Sequence, residues 1–295
     1  MRKTFANMMD QIASVDDKLV VLIGDISHYL LKDFEDKYPD RFYNVGICEQ
    51  TMVSMAAGLA MEGLRPVIHT IAPFCVERAY EQIKVDLCYQ NLDVTIVSVG
   101  GSFDYAHLGC THHCYEDVSI LRPLPNIDIY VPGNNDELSA LLAQSWNNGR
   151  PKYFKLNKTQ HQQDTKVVSE EVLIFNKGRA TNPLIFVNGH LLDAVADLKD
   201  HTVLYSPTIE PMTLNSQLII AQLLHIHQDA IVIEENSKIG AFADKIGDIM
   251  SECGAKTSLK KVGIPRKFCL NYGSASDQRE ELGLTKGAIL EAIGV

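Results

Sequence analysis

The sequence predicts an α/β protein built from two doubly wound domains. Three observations point there. Short Val/Ile-rich runs alternate with helical patterns along the 295 residues, one polar stretch interrupts that alternation past the midpoint, and a hydrophobic content of 46% can fill two cores.

In chain order, the runs Leu19 to Ile23, Pro66 to Thr70, Val94 to Val99 and Ile127 to Val131 each end in turn or polar residues, the rhythm of a mostly parallel sheet. Residues 42 to 47 read as a further short strand. After them Met52, Val53, Ala56, Leu59 and Ala60 recur at the spacing of one helical face. The stretch Gln160 to Ser169, rich in Gln, Asp, Lys and Thr, breaks the rhythm and reads as an exposed linker. Strand patterns resume at Pro183 to Val187, His201 to Tyr205 and Ala230 to Glu234, so the second unit is also α/β. The expected division is therefore a first domain over residues 1–160, a connection over 161–180 and a second domain over 181–295.

Composition narrows the function. No apolar run reaches the roughly 18 to 20 residues needed to span a bilayer, and the start from Met1 to Asp10 lacks the apolar core of a signal peptide, so a cytoplasmic protein without a membrane is expected. The seven cysteines are odd in number and scattered, which does not read as a disulfide framework. A formal charge of −10 argues against a nucleic-acid surface, while leaving room for a local basic patch facing one phosphorylated ligand.

Glu49 stands out because it falls where the strand over 42–47 runs into the apolar helix. A carboxylate in a helical first turn is often only a dipole-complementing group. The surrounding run Val45-Gly-Ile-Cys-Glu-Gln-Thr-Met-Val-Ser-Met-Ala-Ala-Gly-Leu-Ala-Met-Glu-Gly63, however, resembles the motif that carries the catalytic glutamate in the pyrimidine-binding domain of transketolases. Related forms occur in deoxyxylulose phosphate synthases and in the beta subunits of 2-oxoacid dehydrogenases.

Further segments resemble the same family in order along the chain. His69-Thr-Ile-Ala-Pro-Phe74 and Arg78-Ala-Tyr-Glu-Gln82 are similar to the region whose aromatic packs on the cofactor's aminopyrimidine, which falls on Phe74. Ile71 stands where many members carry a first phenylalanine. Gly109-Cys-Thr-His112, continuing through Glu116-Asp117 to Leu121-Arg122 and Pro125-Asn126, resembles the segment bearing a substrate-facing histidine, here His112. The family's aspartate ahead of that motif is absent, and Asp104 or His107 is expected to take over polar work at the substrate. Asp25 falls near a family aspartate that faces the thiazolium, with Ser27 and His28 beside it as expected substrate contacts. Lys155 and Lys158 lie near arginines that meet a substrate phosphate in the family, although a solvated pair is the simpler reading. In the second domain, Ile231 to Ile246 resembles the strand, Glu-Glu pair and Gly-rich turn of the transketolase C-terminal domain. Taken alone, Glu234 and Glu235 there read as a strand end meeting solvent.

The cluster Cys110, His112, His113 and Cys114 also contains zinc-ligand types, but no separated second pair accompanies it, so no metal site is expected on this chain. Neither Gly24-Asp25-Ile26 nor Gly247-Asp248-Ile249 fits the Gly-Asp-Gly motif that binds the metal of thiamine diphosphate. The resemblance thus implies the C-terminal subunit of a split transketolase. Thiamine diphosphate and Mg²⁺ would be held largely by a separate N-terminal subunit, within a heterotetramer. The implied reaction is ketol transfer from a ketose or its phosphate to an aldose, with Glu49 hydrogen-bonding the pyrimidine and His112 serving the substrate oxygens. Three alternatives stay open: a deoxyxylulose phosphate synthase half, a 2-oxoacid dehydrogenase beta subunit, and a non-catalytic transketolase-like regulatory subunit.

Overall fold

The computed structural model describes residues 1–166 and 170–295. Its first sheet is built from β1 (Leu19–Ile23), β2 (Phe42–Asn44), β3 (Arg65–Ile71), β4 (Thr95–Val99), β5 (Asp128–Tyr130) and β6 (Lys152–Leu156). All five residues of β1, β4 and β6 are buried, as expected for parallel strands covered on both faces. The second sheet contains β7 (Leu173–Asn176), β8 (Leu184–Val187), β9 (Val203–Tyr205), β11 (Asp229–Ser237) and β12 (Ser258–Ile264), with β10 (Thr208–Glu210) placed elsewhere.

The first sheet runs β10-β5-β6-β4-β3-β1-β2, parallel except for β10, which pairs antiparallel with β5 through Thr208 opposite Tyr130. The second runs β12-β11-β8-β9-β7, parallel except for the pairing of β7 with β9. Both are therefore doubly wound sheets. Alternate residues of β1 face opposite cores: Leu19, Val21 and Ile23 pack with Phe5 and Met9 of the helix Arg2–Ala13, whereas Val20 and Leu22 pack with Met52, Val53 and Ala56 of the helix Glu49–Met61. The latter core continues into the second domain through Leu184, Phe186, Val232 and Phe242, so the two domains share an apolar interior.

Three local features depart from the sequence reading. The strand over 42–47 ends at Asn44, because Gly46 turns the chain at φ +77° before the helix begins. Part of the segment expected to be an exposed linker is tied down: His161 is buried, and Glu137 accepts from His161 Nε2 at 2.9 Å and from Tyr205 Oη at 2.6 Å. Residues 161–180 also include β7, and Val167 to Ser169 lie outside the described residues. Glu234 and Glu235 do not meet solvent. Glu234 accepts from the backbone N–H groups of Phe242 and Ala243 at the start of the helix Phe242–Cys253, and Glu235 is gripped by both Nε and Nη2 of Arg279 at 2.7 and 3.1 Å.

Candidate active site

The candidate residues gather because they follow the carboxyl ends of parallel strands, where open α/β sheets bind ligands. Asp25 and Ser27 follow β1, Glu49 follows β2, Ile71 ends β3 with Phe74 just beyond it, Asp104 follows β4, and Lys158 follows β6. Strain marks the same edge: Asp25 and Ser27 are held at φ 57° and 63°, a region that non-glycine residues seldom occupy.

Glu49 is the first residue of the helix Glu49–Met61 and is 1% exposed. Its position puts an acidic residue in the first turn of that helix, at the positive end of its dipole. Arg78 Nη1 donates to Glu49 Oε2 at 2.8 Å, and the same guanidinium lies 4.3 Å from the centre of the Phe74 ring. Phe74 in turn meets His112 edge to face at 5.1 Å, and His112 lies 6.1 Å from the Tyr105 ring. Lys158 Nζ caps Tyr105 at 4.4 Å and donates to the Asp104 carbonyl at 2.9 Å, while the Lys158 N–H donates to the Asp104 carboxylate at 2.8 Å. A continuous strip thus runs from Glu49 to Lys158.

Electrostatics along the strip are uneven. Partial burial, reinforced by neighbouring His107 and His113, pushes the His112 imidazole below its ordinary range, favouring the neutral ring. Thr111 Oγ1 lies 2.9 Å from His112 Nδ1. Burial raises the Asp104 carboxyl to about 6, against the opposing pull of the Lys158 N–H. At the Lys158 end, a cleft of about 330 Å³ is lined by Arg2, Tyr29, Asp104, Tyr105 and Lys158, among others. A larger polar hollow of about 690 Å³ over the start of the helix Asn135–Ser145 shares only Lys158 with the strip.

Other expected residues are placed differently. Asp25 is exposed and exchanges hydrogen bonds with the Asn44 side chain, whose Oδ1 accepts from the Asp25 N–H at 3.1 Å. Ser27 is buried rather than open to a substrate: its hydroxyl accepts from Arg2 Nη2 at 2.8 Å and lies 2.8 Å from His69 Nε2. His28 is turned away, paired with Glu35 at 3.0 Å and stacked on Phe42. His107 is exposed beside the His112 turn. Ile71 is 8% exposed and belongs to the apolar core beneath the strip. Lys155 is the clearest displacement. Its ammonium is fully buried, donating to Asp117 at 2.8 Å, Asn236 at 2.7 Å and the Cys114 carbonyl at 3.2 Å, because it lies within buried β6 whereas Lys158 lies beyond the strand's end.

Residues 1–163 match the pyrimidine-binding domain of transketolase. The chain belongs to the transketolase family. Among curated relatives, this transketolase-family chain is 28% identical to a subunit of the apulose-4-phosphate transketolase of Actinobacillus succinogenes, over 93% of its own length and 91% of that protein's. It is 30% identical to an uncharacterised 33.6 kDa protein in the fasciation locus of Rhodococcoides fascians, covering 98% and 92% of the two chains. Against 1-deoxy-D-xylulose-5-phosphate synthase of Alkaliphilus oremlandii the identity is also 30%, but the chain spans only 46% of that protein. In fold it is similar to a split-gene transketolase solved as an inactive beta4 tetramer, with a TM-score of 0.85 at 24% identity over 99% and 96% of the two chains.

The family depends on thiamine diphosphate, and the strip fits the pyrimidine end of that cofactor: a buried carboxylate at a helix start lies one guanidinium away from a half-buried phenyl face. Among the described residues, no group of three or more His, Cys, Asp or Glu side chains is arranged to hold a metal ion. Arg78 and Tyr105 are residues of the strip that sequence reasoning missed, Arg78 because its motif gave it no role. The signal for Arg78 was its place four residues after Phe74, in the turn that follows the short helix Ala72–Val76.

Proposed function

We propose that this chain is the C-terminal subunit of a thiamine-diphosphate-dependent transketolase that moves a two-carbon ketol unit from a ketose, or its phosphate, to an aldose. Residues 1–160 serve as its pyrimidine-binding domain and 181–295 as its C-terminal domain. The observation that carries this reading is the buried Glu49 carboxylate at a helix start, joined through Arg78 to Phe74 and His112. Near-complete mutual coverage with a single subunit of another transketolase supports the split arrangement. A separate subunit then supplies the ligands for Mg²⁺ and the diphosphate, and the two kinds of chain assemble as a heterotetramer.

When bound, thiamine diphosphate supplies the acidic thiazolium carbon and the electron sink that ketol transfer requires. The protein's share is positioning and proton management. Glu49 accepts or shares a proton at a pyrimidine nitrogen, and Arg78 holds its carboxylate in place. Phe74 offers a flat apolar face for ring stacking, worth about 0.5 to 1.5 kcal/mol beyond area burial. His112, with its neutral ring favoured, donates to or accepts from substrate oxygens. Arg2 and Lys158 give the far end of the cleft a positive lining suited to an anionic substrate group. Asp25, exposed just past the carboxyl end of β1, would serve the thiazolium side, and His107, also exposed, would serve the substrate.

A decarboxylating reading, in which the donor is a 2-oxoacid, is favoured by the synthase relatives at 30% identity. The test is ketol transfer by the chain mixed with its metal-binding partner, thiamine diphosphate and Mg²⁺, across ketose donors and aldose acceptors. Activity that needs both chains and disappears in Glu49→Gln supports transketolase. Product from pyruvate supports the decarboxylating reading, and absence of cofactor binding sinks both.

A further inference from the structure

Asn157 is buried, 6% exposed, and its carboxamide oxygen has no hydrogen-bond partner among the described residues. A buried amide oxygen left unpaired is uncommon, because its desolvation goes uncompensated unless water or a ligand reaches it. Asn157 sits between Lys155, whose ammonium is consumed by Asp117 and Asn236, and Lys158, whose ammonium is held by the Asp104 carbonyl. It lines the same cleft as Asp104, Tyr105, Lys158 and Arg2. Gly101 keeps the amide there: a Cβ at that position would fall 2.2 Å from Asn157 Oδ1, so any larger residue would drive the side chain away.

Asp104 and Arg2, which line the same cleft, already have partners within the chain. The Asp104 carboxylate accepts from the Lys158 N–H, and Arg2 donates to Ser27. An amide offers both a donor and an acceptor, which matches a neutral hydroxyl better than a phosphate, whose oxygens mostly accept at neutral pH. The cleft volume of about 330 Å³ is at the scale of sites for small ligands.

We infer that Asn157 is a specificity-determining residue that reads a hydroxyl group of the sugar lying between His112 and the cationic end of the cleft. The inference rests on the sugar-transfer reading proposed above. A site built to pair a hydroxyl discriminates strongly against the analogue lacking it, because the protein's polar group is then left buried and unpaired.

The experiment compares kcat/KM of the assembled two-chain enzyme for D-ribose 5-phosphate and its 2-deoxy and 3-deoxy analogues, in wild type, Asn157→Ala and Asn157→Ser. Wild type is expected to prefer the parent aldose over one deoxy analogue by roughly tenfold or more. In Asn157→Ala that ratio falls to about one, mainly through KM, and Asn157→Ser, which keeps one hydroxyl, retains part of it. An unchanged ratio in both variants, or an equal loss on all three sugars, overturns the inference. Calorimetric binding of D-ribitol 5-phosphate, which cannot react, separates the two readings. Binding weakened by Asn157→Ala sustains the subsite even if no ketol transfer is found, whereas no binding to wild type overturns it.

Discussion

Arg78 donates to Glu49 at 2.8 Å while its guanidinium lies 4.3 Å from the Phe74 ring centre, so one cation fixes both the carboxylate and the aromatic face of the strip. A lysine can reach one of these partners as a point charge, but it lacks the planar fork that serves both. Arg78→Lys is therefore expected to weaken cofactor binding by roughly tenfold and Arg78→Ala by roughly a hundredfold, since a charge-assisted hydrogen bond to a buried carboxylate is lost. Titration of thiamine diphosphate by fluorescence quenching measures this. Affinities equal to wild type would remove Arg78 from the site.

His112 should shape the acid limb of the pH–rate profile. Partial burial and two neighbouring histidines lower its titration below 6.5, so the neutral ring dominates at pH 7 and is lost only in more acidic solution. His112→Gln keeps hydrogen-bonding capacity without a titrating proton. It is expected to slow ketol transfer by roughly 10² to 10⁴ and to flatten that limb. A wild-type profile in the variant would assign the limb to another group.

Lys155 should behave as a stability residue. Its ammonium and the Asp117 carboxylate are both fully buried, and removing one partner leaves the other uncompensated. Lys155→Met is expected to cost about 3 to 5 kcal/mol in urea unfolding. In the folded fraction, its KM for phosphorylated and unphosphorylated sugars should change by the same factor. A selective rise for phosphorylated sugars would return Lys155 to the substrate site.

Glu235 makes stability depend on acid. Despite burial, His190 and Arg279 hold its carboxyl down to about 2 from an ordinary 4.5. A depressed acid contributes stability that is complete above the unfolded value and declines as pH falls from 4.5 through 2. The contribution is on the order of 3 kcal/mol at pH 7 and roughly half of that at pH 3. Urea midpoints of wild type and Glu235→Gln should therefore converge on acidification. A difference independent of pH would show that packing, not charge, makes the contribution.

Local apolar patterns were enough to place β1, β3, β4, β5, β8, β9 and β11, and the helix that begins at Glu49. Leu19–Ile23 is β1 as expected, and Glu49 falls at the start of the helix whose Met52, Val53 and Ala56 are buried, because apolar periodicity is written in consecutive residues. Direction and partnership were not so written. Lys155 and Lys158 are three residues apart, yet β6 buries the first against Asp117 and Asn236 while the second emerges past the strand end over Tyr105. Arg78 acquires its role only when the turns after β2 and β3 bring Glu49 and Phe74 to one guanidinium, and Thr208–Glu210 joins the first sheet from beyond the connecting segment. These points follow from burial and charge pairing, which depend on which distant elements the fold makes neighbours, and a local pattern carries no record of its partner.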